Sequence, residues 1–206
     1  MIPMESLALF FLASVALGLA PGPDNIFVLT QSALHGRTAG LLVTLGLCTG
    51  LLVHTAAVSL GVAAVVQTSA LAFQLLKIVG ALYLLYLAWR AFRSGAMEEQ
   101  GRRVDNPGRR QLYLRGIVMN VTNPKVAIFF LAFLPQFADP ERGAVSLQML
   151  IFGGVFMVAT LLVFGSVAWT AGFLGEKLRR SSRIQVVINR IAGVVFLGLA
   201  ARLAIG

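Results

Sequence analysis

Long apolar runs separated by short polar gaps dominate the sequence and predict an all-α integral membrane protein. A helix that crosses a bilayer needs about 20 mostly apolar residues. The first run is longer than one straight span requires, and the gaps after the first two runs leave room only for helical hairpins. On this ruler the chain has six transmembrane helices, at residues 5–34, 39–66, 69–93, 112–137, 144–172 and 184–205.

Composition supports the membrane assignment. The AVILMFWYC set makes up 58% of the 206 residues and charged residues 12%, with a mean hydropathy of +0.85. Soluble domains are about 25% charged, so a soluble globular domain is excluded, and disorder needs low hydrophobicity. The net charge of +9 does not indicate nucleic acid, because most Lys and Arg lie in short gaps between apolar runs. The first run follows Glu5 and no basic residue, which predicts a retained span and not a cleaved signal.

The distribution of basic residues predicts the orientation. Lys and Arg concentrate in the gaps after spans 1, 3 and 5 and are nearly absent from the other gaps. Because cytoplasmic loops carry the excess of Lys and Arg, this alternation places both termini outside the cytoplasm. The basic residues of these gaps and their flanks are Arg37, Arg90, Arg93, Arg102, Arg103, Arg109, Arg110, Arg115, Lys177, Arg179, Arg180 and Arg183.

An internal repeat relates the two halves of the chain. The segment KIVGALYL beginning at Lys77 matches RIAGVVFL beginning at Arg190, and the proline-rich segments of spans 1 and 4 take corresponding positions. Each half has an odd number of spans, so the second half is inverted, and inverted repeats with matching breaks are typical of transporters. The predicted organisation is a first three-helix repeat at 1–93, a basic cytoplasmic loop at 94–111 and an inverted repeat at 112–206.

Spans 1 and 4 are each predicted to break at a proline-rich motif. Proline removes a backbone donor and clashes with the preceding turn, and a broken helix is tolerated in lipid only where it is buried in protein or lines a cavity. We expect Pro23 to start a half-helix in span 1, and Asn123 to cap another at Pro124. Two such N-termini near the midplane suit a carboxylate. The predicted substrate-binding residues are Pro21, Gly22, Pro23, Asp24, Asn25, Asn120, Asn123, Pro124 and Lys125.

Asp24 and Lys125 are the charges well inside predicted spans, apart from Lys77, which is nearer an end. A charge at the centre of a span costs about 2.5–3.5 kcal/mol on the insertion scale. Two interpretations stay open. In a static ion pair, exchanging the two charges would harm less than losing either. In a functional site, Lys125 binds a substrate carboxylate, and Asp24 binds an amino group or accepts a proton. Asp24 and His54 are the proton-coupling candidates, although His54 equally fits a packing role.

Small residues in spans 2 and 5 predict close helix packing. Gly46 and Gly50 form a GxxxG motif in span 2, and the pair Gly153-Gly154 takes the matching place in span 5. Glycines at this spacing let two helix backbones approach closely. We draw no substrate role from them.

Four segments together resemble the lysine exporter (LysE/RhtB) family over essentially the whole chain: APGPDN, KIVGALYLLYLAWRAF, NVTNPKVAIFFLAFLPQF and RIAGVVFLGLAARLA. The resemblance implies six spans in two inverted repeats, a bacterial inner membrane location, and export of amino acids or close derivatives. It also implies drive by the proton motive force without ATP. The family motif would assign the transport site to Pro21, Gly22, Pro23, Asn123, Pro124 and Lys125.

Other functional classes fit the residues less well. A membrane thiol oxidoreductase of similar layout needs two cysteines, and the chain has only Cys48, so we expect no enzyme. A divalent-metal exporter of related architecture is the alternative, but it needs clustered acids, His or Cys, and the spans offer Asp24 and His54. A structural scaffold would not need matched broken helices.

The same residues indicate the cargo. A cationic amino acid would need a further acid inside the spans, and none is visible, which favours neutral cargo of the homoserine, threonine or leucine type. The expected partners are the amino acid, protons and the lipid bilayer, with a homodimer as an option. We expect no nucleic acid, metal or cofactor.

Overall fold

The structure is a computed structural model that describes residues 2–62, 70–93, 107–180 and 182–205. All regular structure in these ranges is helical, which confirms the all-α prediction. Residues 94–106 of the predicted basic loop and the hairpin predicted at 67–69 lie outside the described residues. The helices are α1 Met4–Leu19, α2 Pro23–His35, α3 Arg37–Ala57, α4 Ala70–Arg93, α5 Arg109–Val121, α6 Pro124–Ile128, α7 Val145–Arg180 and α8 Ser182–Ile205.

Two α-helices continue directly into π-helical turns. Helix α3 passes into a π-helical turn at Val58–Val62, and α6 passes into one at Phe129–Phe133. A 3₁₀ segment, Leu134–Phe137, with Pro135 in its first turn, then ends the helical stretch that begins at Pro124. The two π-helical turns contact each other. Such turns are rare and often lie at functional sites.

Two helices are each long and apolar enough to cross a membrane, over Arg37–Gly61 and Val145–Ala171. Two further helix pairs meet this test together but are bent, α1 with α2 by 64° and α5 with Pro124–Phe137 by 48°. The described residues therefore hold two candidate spans, or four if each bent pair is one span. Helices α4 and α8 lie where the sequence predicts spans 3 and 6, but they are not among these candidates. The six-span inverted repeat stays a prediction.

Helices α3 and α5 pack closely through glycine. A Cβ atom added to Gly46 would lie 3.0 Å from the Cα of Gly116 and would overlap the carbonyl oxygen of Tyr113. One turn further along α3, a Cβ on Gly50 would lie 2.7 Å from the Cβ of Asn120. The close packing predicted for the GxxxG motif is confirmed, and it fixes the end of α5 against α3.

A cluster of phenylalanine rings joins α1, the segment Pro124–Phe137 and α7. Phe10 of α1 lies at its centre, fully buried, with its ring centroid 4.9 Å from that of Phe152 and 5.2 Å from that of Phe137. Aromatic pairs add about 0.5–1.5 kcal/mol beyond the area that they bury. The cluster therefore anchors α1 on the same side as the second break. Its other members are Phe129, Phe130, Phe133 and Phe156.

The turn before α7 is built on an acid outside the membrane-spanning segments. The Asp139 carboxylate accepts from the backbone N–H of Glu141 at 2.9 Å and from Arg142 Nε at 2.7 Å. The bond from Arg142 is the main cause that lowers the pKa of Asp139. Because this pair is solvent-exposed, its contribution to stability is small.

Candidate functional site

The first helix break lies where the sequence predicts it. Helix α1 ends at Leu19 and α2 begins at Pro23, which takes the first helical position. Gly22 precedes it in a fully extended conformation, with φ −173° and ψ 174°, and no side chain caps α2. The chain therefore leaves α1 and restarts at an angle of 64°, with the polar N-terminus of α2 uncapped.

Side chains from elsewhere bind the backbone that the first break leaves open. The last carbonyl groups of a helix have no partner within it. Here Lys125 Nζ donates to Leu17 O at 3.0 Å and to Ala20 O at 3.1 Å. The side-chain amide of Asn25 donates to Gly18 O at 2.6 Å. A cation at the C-terminal end of α1 is also favoured by the helix dipole.

The second break has a capping side chain, as the sequence predicts. Helix α5 ends at Val121, and α6 begins at Pro124. The Asn123 Oδ1 accepts from the backbone N–H of Lys125 at 3.0 Å, so Asn123 is the N-cap. The other end of the same side chain, Nδ2, donates to Asp24 Oδ2 at 2.8 Å. Asn123 thus ties the start of α6 to the first turn of α2.

Lys125 and Asp24 are both buried, with 7% and 3% of their surface exposed. No salt bridge joins them in this conformation, since the Asp24 carboxylate binds Asn123 and the Lys125 ammonium binds carbonyl groups of α1. Asn123 therefore links the Asp24 carboxylate to the backbone of Lys125 and not to its ammonium. Two of the three ammonium protons are used, and the third is available to a ligand.

A cavity of about 150 Å³ opens at the Lys125 ammonium between the two breaks. A Cβ added to Gly22 would lie 3.1 Å from Lys125 Nζ, so a glycine here keeps the cavity open to the ammonium. No acidic side chain lines the cavity, whose described lining is Ala20, Pro21, Gly22, Pro23, Tyr83, Leu87, Arg90, Ala91, Asn123, Pro124, Lys125 and Phe196.

Helix α4 supplies a wall of the cavity that the sequence pattern does not predict. Tyr83, Leu87, Arg90 and Ala91 come from α4, and Phe196 comes from α8. The residues of α4 recur three and four positions apart, so they share one helix face. That spacing could have been seen in the sequence, but nothing in it says which other helices the face meets. Arg90 brings a second cation to the cavity.

Three residues predicted for the site or its coupling lie beside the cavity lining and not in it. Asp24 and Asn25 belong to the first turn of α2, and each has a buried side-chain oxygen without a hydrogen-bond partner. Asn120 is buried near the end of α5, with its side-chain oxygen also unpartnered.

His54 lies on α3 against the second break. Its Nε2 is 3.1 Å from Asn120 O, and its ring packs on Phe130 at 5.6 Å between centroids. No hydrogen bond joins it to Asp24.

The arrangement is suited to an anionic group. Lys125 and Arg90 line one cavity together with the uncapped N-terminus of α2, and helix N-termini attract carboxylates through their free N–H groups and dipole. A cavity of about 150 Å³ holds a molecule the size of benzene, about six heavy atoms. That is room for the carboxylate, the α-carbon and the amino group of an amino acid, but not for the whole of leucine in this conformation.

Comparison with known proteins finds relatives over most of the chain. The family model described as "LysE type translocator" matches residues 15–206. The homoserine/homoserine lactone efflux protein of Salmonella typhimurium is 31% identical over 195 residues, covering 95% of this chain and 94% of its own. The leucine efflux protein of Enterobacter sp. is 29% identical, covering 90% of this chain and 89% of its own. An uncharacterized membrane protein of Vibrio cholerae is 32% identical over 95% of this chain and 94% of its own.

No solved structure matches the chain. The efflux relatives and the long apolar helices together indicate a multi-pass membrane transporter and not an enzyme. The matched model covers well over half of the sequence. The chain therefore belongs to the LysE family of translocators.

Proposed function

We propose that this protein exports neutral amino acids of the homoserine, threonine or leucine type from the cytoplasm, driven by the proton motive force. The observation that carries the proposal is the Lys125 ammonium, buried between the two helix breaks and lining their shared cavity. A substrate carboxylate would accept from the third ammonium proton and from the N-terminus of α2. The names of the efflux relatives support an amino-acid cargo.

The charge of the cavity favours a neutral side chain on the cargo. Its described lining includes Arg90 and Lys125 and no acid, so the second positive charge of lysine or arginine would find no acidic partner among these residues. Asp24 lies one residue beyond Pro23, with Oδ1 unpartnered. In the proposal this oxygen binds the substrate ammonium or takes up the coupling proton.

Energy coupling in the proposal runs through Asp24. One unit charge moved across 100 mV supplies about 2.3 kcal/mol, which an uphill exporter can use only if a titratable group alternates between the two sides. Asp24 is bound to Asn123, and Asn123 caps the helix that carries Lys125. A carboxylate that binds Lys125 would thus alter the charge and the hydrogen bonds around Asp24. His54 is the second candidate, through its bond to Asn120 O.

The topology belongs to the same proposal. We place six spans in the bacterial inner membrane as two inverted repeats, with both termini outside. Single cysteines on a Cys48→Ala background, probed with an impermeant thiol reagent, test it. Residues 67–69 should react from outside intact cells and residues 102–110 should not. Labelling of 102–110 from outside would contradict the six-span arrangement.

The decisive experiment for the function is efflux of radiolabelled amino acids from loaded proteoliposomes. We expect neutral amino acids to leave faster than lysine or arginine, and a protonophore to abolish accumulation against a gradient. The matched carboxamide, such as leucinamide beside leucine, should be exported poorly because it lacks the carboxylate. Equal export of leucine and leucinamide would contradict carboxylate binding.

The metal-exporter alternative is tested in the same vesicles. Within the described parts of the chain, no three His, Cys, Asp or Glu side chains come together as metal ligands. Flux of Mn²⁺ or Zn²⁺ that exceeds that of every amino acid would favour this alternative.

A further inference from the structure

Among the residues that the structure describes, helix α2 carries most of the buried side-chain polar atoms that have no hydrogen-bond partner. Among the described residues, five buried side-chain nitrogen or oxygen atoms have no hydrogen-bond partner, and four of the five belong to α2. Leaving such an atom buried without a hydrogen bond is unfavourable. Chance does not readily place four of them on one 13-residue helix.

Three of these atoms fall on one line along α2: Asp24 Oδ1, Gln31 Oε1 and His35 Nδ1. At about 100° per residue, positions seven and eleven after Asp24 lie within about 20° of it around the helix axis. At about 1.5 Å per residue the line runs about 16 Å. It connects the first helix break to the end of α2.

The far end of this line lies at a predicted membrane surface. His35 is the last residue of α2, and Arg37 follows with its guanidinium 4.7 Å from the centre of the Trp169 ring. Tryptophan and arginine are typical of the membrane interface, and the proposed topology has this hairpin on the cytoplasmic side. In that topology the line runs from the cytoplasmic surface to Asp24.

Beside this line, at Ser32, α2 packs closely against α3 and α7. A Cβ on Gly40 of α3 would overlap the Ser32 hydroxyl and lie 2.9 Å from the Cβ of Ala168 in α7. Gln31 is 3% exposed and Val28 is fully buried. Val28 is the nearest apolar side chain between Asp24 and Gln31, and it separates the two polar positions in this conformation.

We propose that this stripe, Asp24, Gln31 and His35, is the path by which protons pass between the cytoplasm and Asp24, with Val28 as its constriction. The inference rests on the proposed function, since it needs a proton at Asp24. Water molecules bound to the unpartnered atoms would relay the proton. The proton leaves the carboxylic acid at Asp24 Oδ1, crosses the waters beside Gln31, and is accepted by His35 Nδ1 or by bulk water. Only O–H and N–H bonds break and form.

The test separates proton movement from substrate movement in proteoliposomes. Substrate counterflow exchanges labelled for unlabelled amino acid without net proton transfer, whereas accumulation driven by a pH gradient requires it. Gln31→Met keeps the length of the side chain and removes its hydrogen bonds. We expect driven accumulation of leucine to fall at least 10-fold, with counterflow within 2-fold of wild type. Gln31→Asn should retain most of the driven rate. Thr30→Val, on another face of α2, is the matched control.

Each other outcome overturns the proposal. If driven accumulation by Gln31→Met equals that of wild type, the stripe does not carry protons. If counterflow is lost as well in a protein that purifies as a single species, Gln31 belongs to the substrate path instead. Should Gln31→Met fail to fold, His35→Leu decides through the same two assays. Wild-type protein without any proton-driven accumulation would refute the proposed coupling itself, before any variant is compared.

Discussion

The break between α1 and α2 and the break between α5 and α6 are each followed by a helix that begins with proline, at Pro23 and Pro124. They are completed in different ways. At the second break the cap is local, because Asn123 accepts from Lys125 N, and Thr122 donates to Val118 O from both its backbone and its hydroxyl group. At the first break no side chain caps the new helix.

The first break is completed largely from the second. Lys125 binds the carbonyl groups of Leu17 and Ala20, and Asn123 binds the carboxylate of Asp24. The second break therefore caps itself, while the first relies on Lys125 and Asn123 in addition to its own bond from Asn25 to Gly18 O. A ligand that binds the Lys125 ammonium would therefore change its hydrogen bonds to Leu17 O and Ala20 O at the end of α1. The hydrogen bonds between the two breaks are therefore asymmetric: side chains of the second bind backbone and side-chain groups of the first.

The largest expected effect is the loss of Lys125. Lys125→Met should reduce amino-acid efflux about 100-fold, because truncating one partner of a buried charged hydrogen-bonded group costs several kcal/mol. It also leaves the carbonyl groups of Leu17 and Ala20 without partners. Efflux from loaded vesicles measures the first effect, and thermal unfolding in detergent measures the second. Lys125→Arg, which keeps the charge, is the matched control.

Exchanging the two charges should not restore this loss. A direct ion pair would tolerate Asp24→Lys with Lys125→Asp. In the structure, however, position 125 donates to two carbonyl groups, which a carboxylate cannot do. Recovery of efflux by the exchanged protein would show that the two charges do pair directly at some point of the cycle.

The next effect concerns Asp24. Asp24→Asn should keep downhill exchange and lose accumulation against a gradient, because an amide cannot take up the coupling proton. Asp139→Asn is a control acid in the second half, exposed and bound to Arg142 outside the spans. We expect it to leave transport unchanged. If Asp24→Asn still concentrates substrate while a protonophore abolishes that accumulation, His54 becomes the coupling candidate.

A smaller effect is expected at the cap that joins the breaks. Asn123→Ala removes the N-cap of α6, which is worth about 0.5–2 kcal/mol, and releases Asp24. We expect efflux to fall about 10-fold and the melting temperature to drop. Asn123→Asp should restore the cap but not the bond to Asp24, since it lacks the donor. Transport by Asn123→Ala at the wild-type rate would show that the link between the two breaks is not needed for transport.

The smallest effect is expected at Gly22. Its added Cβ would lie 3.1 Å from Lys125 Nζ, while a Cβ on Gly154 would meet nothing within 4 Å. Because Gly22 is extended, alanine fits the backbone, and only the ammonium and the cavity are crowded. Gly22→Ala should raise the apparent KM for efflux a few-fold without changing stability, and Gly154→Ala should change neither. A loss of stability instead would place the effect in the fold.

The sequence predicts what is local at the two breaks. Pro23 and Pro124 begin their helices and Asn123 caps because proline and asparagine act on their own and adjacent backbone groups. The carbonyl partners of Lys125 could not be predicted, since they lie 105 and 108 residues away. The sequence identifies Arg90 only as one of the basic residues that flank the gap after span 3. Its position in the cavity depends on how α4 packs. Gln31 reads as an ordinary polar residue until the burial of α2 is known.

The central claim is that the cavity between the breaks holds the substrate. Substrate protection of a cysteine placed in it tests this most directly. Ala91→Cys puts a thiol on the α4 wall, in a Cys48→Ala background that is first checked for transport, with Gly154→Cys as the control position. The account predicts that saturating leucine slows maleimide labelling at position 91 at least 5-fold and leaves position 154 unchanged. Equal labelling of position 91 with and without leucine, in protein that transports leucine, would contradict it.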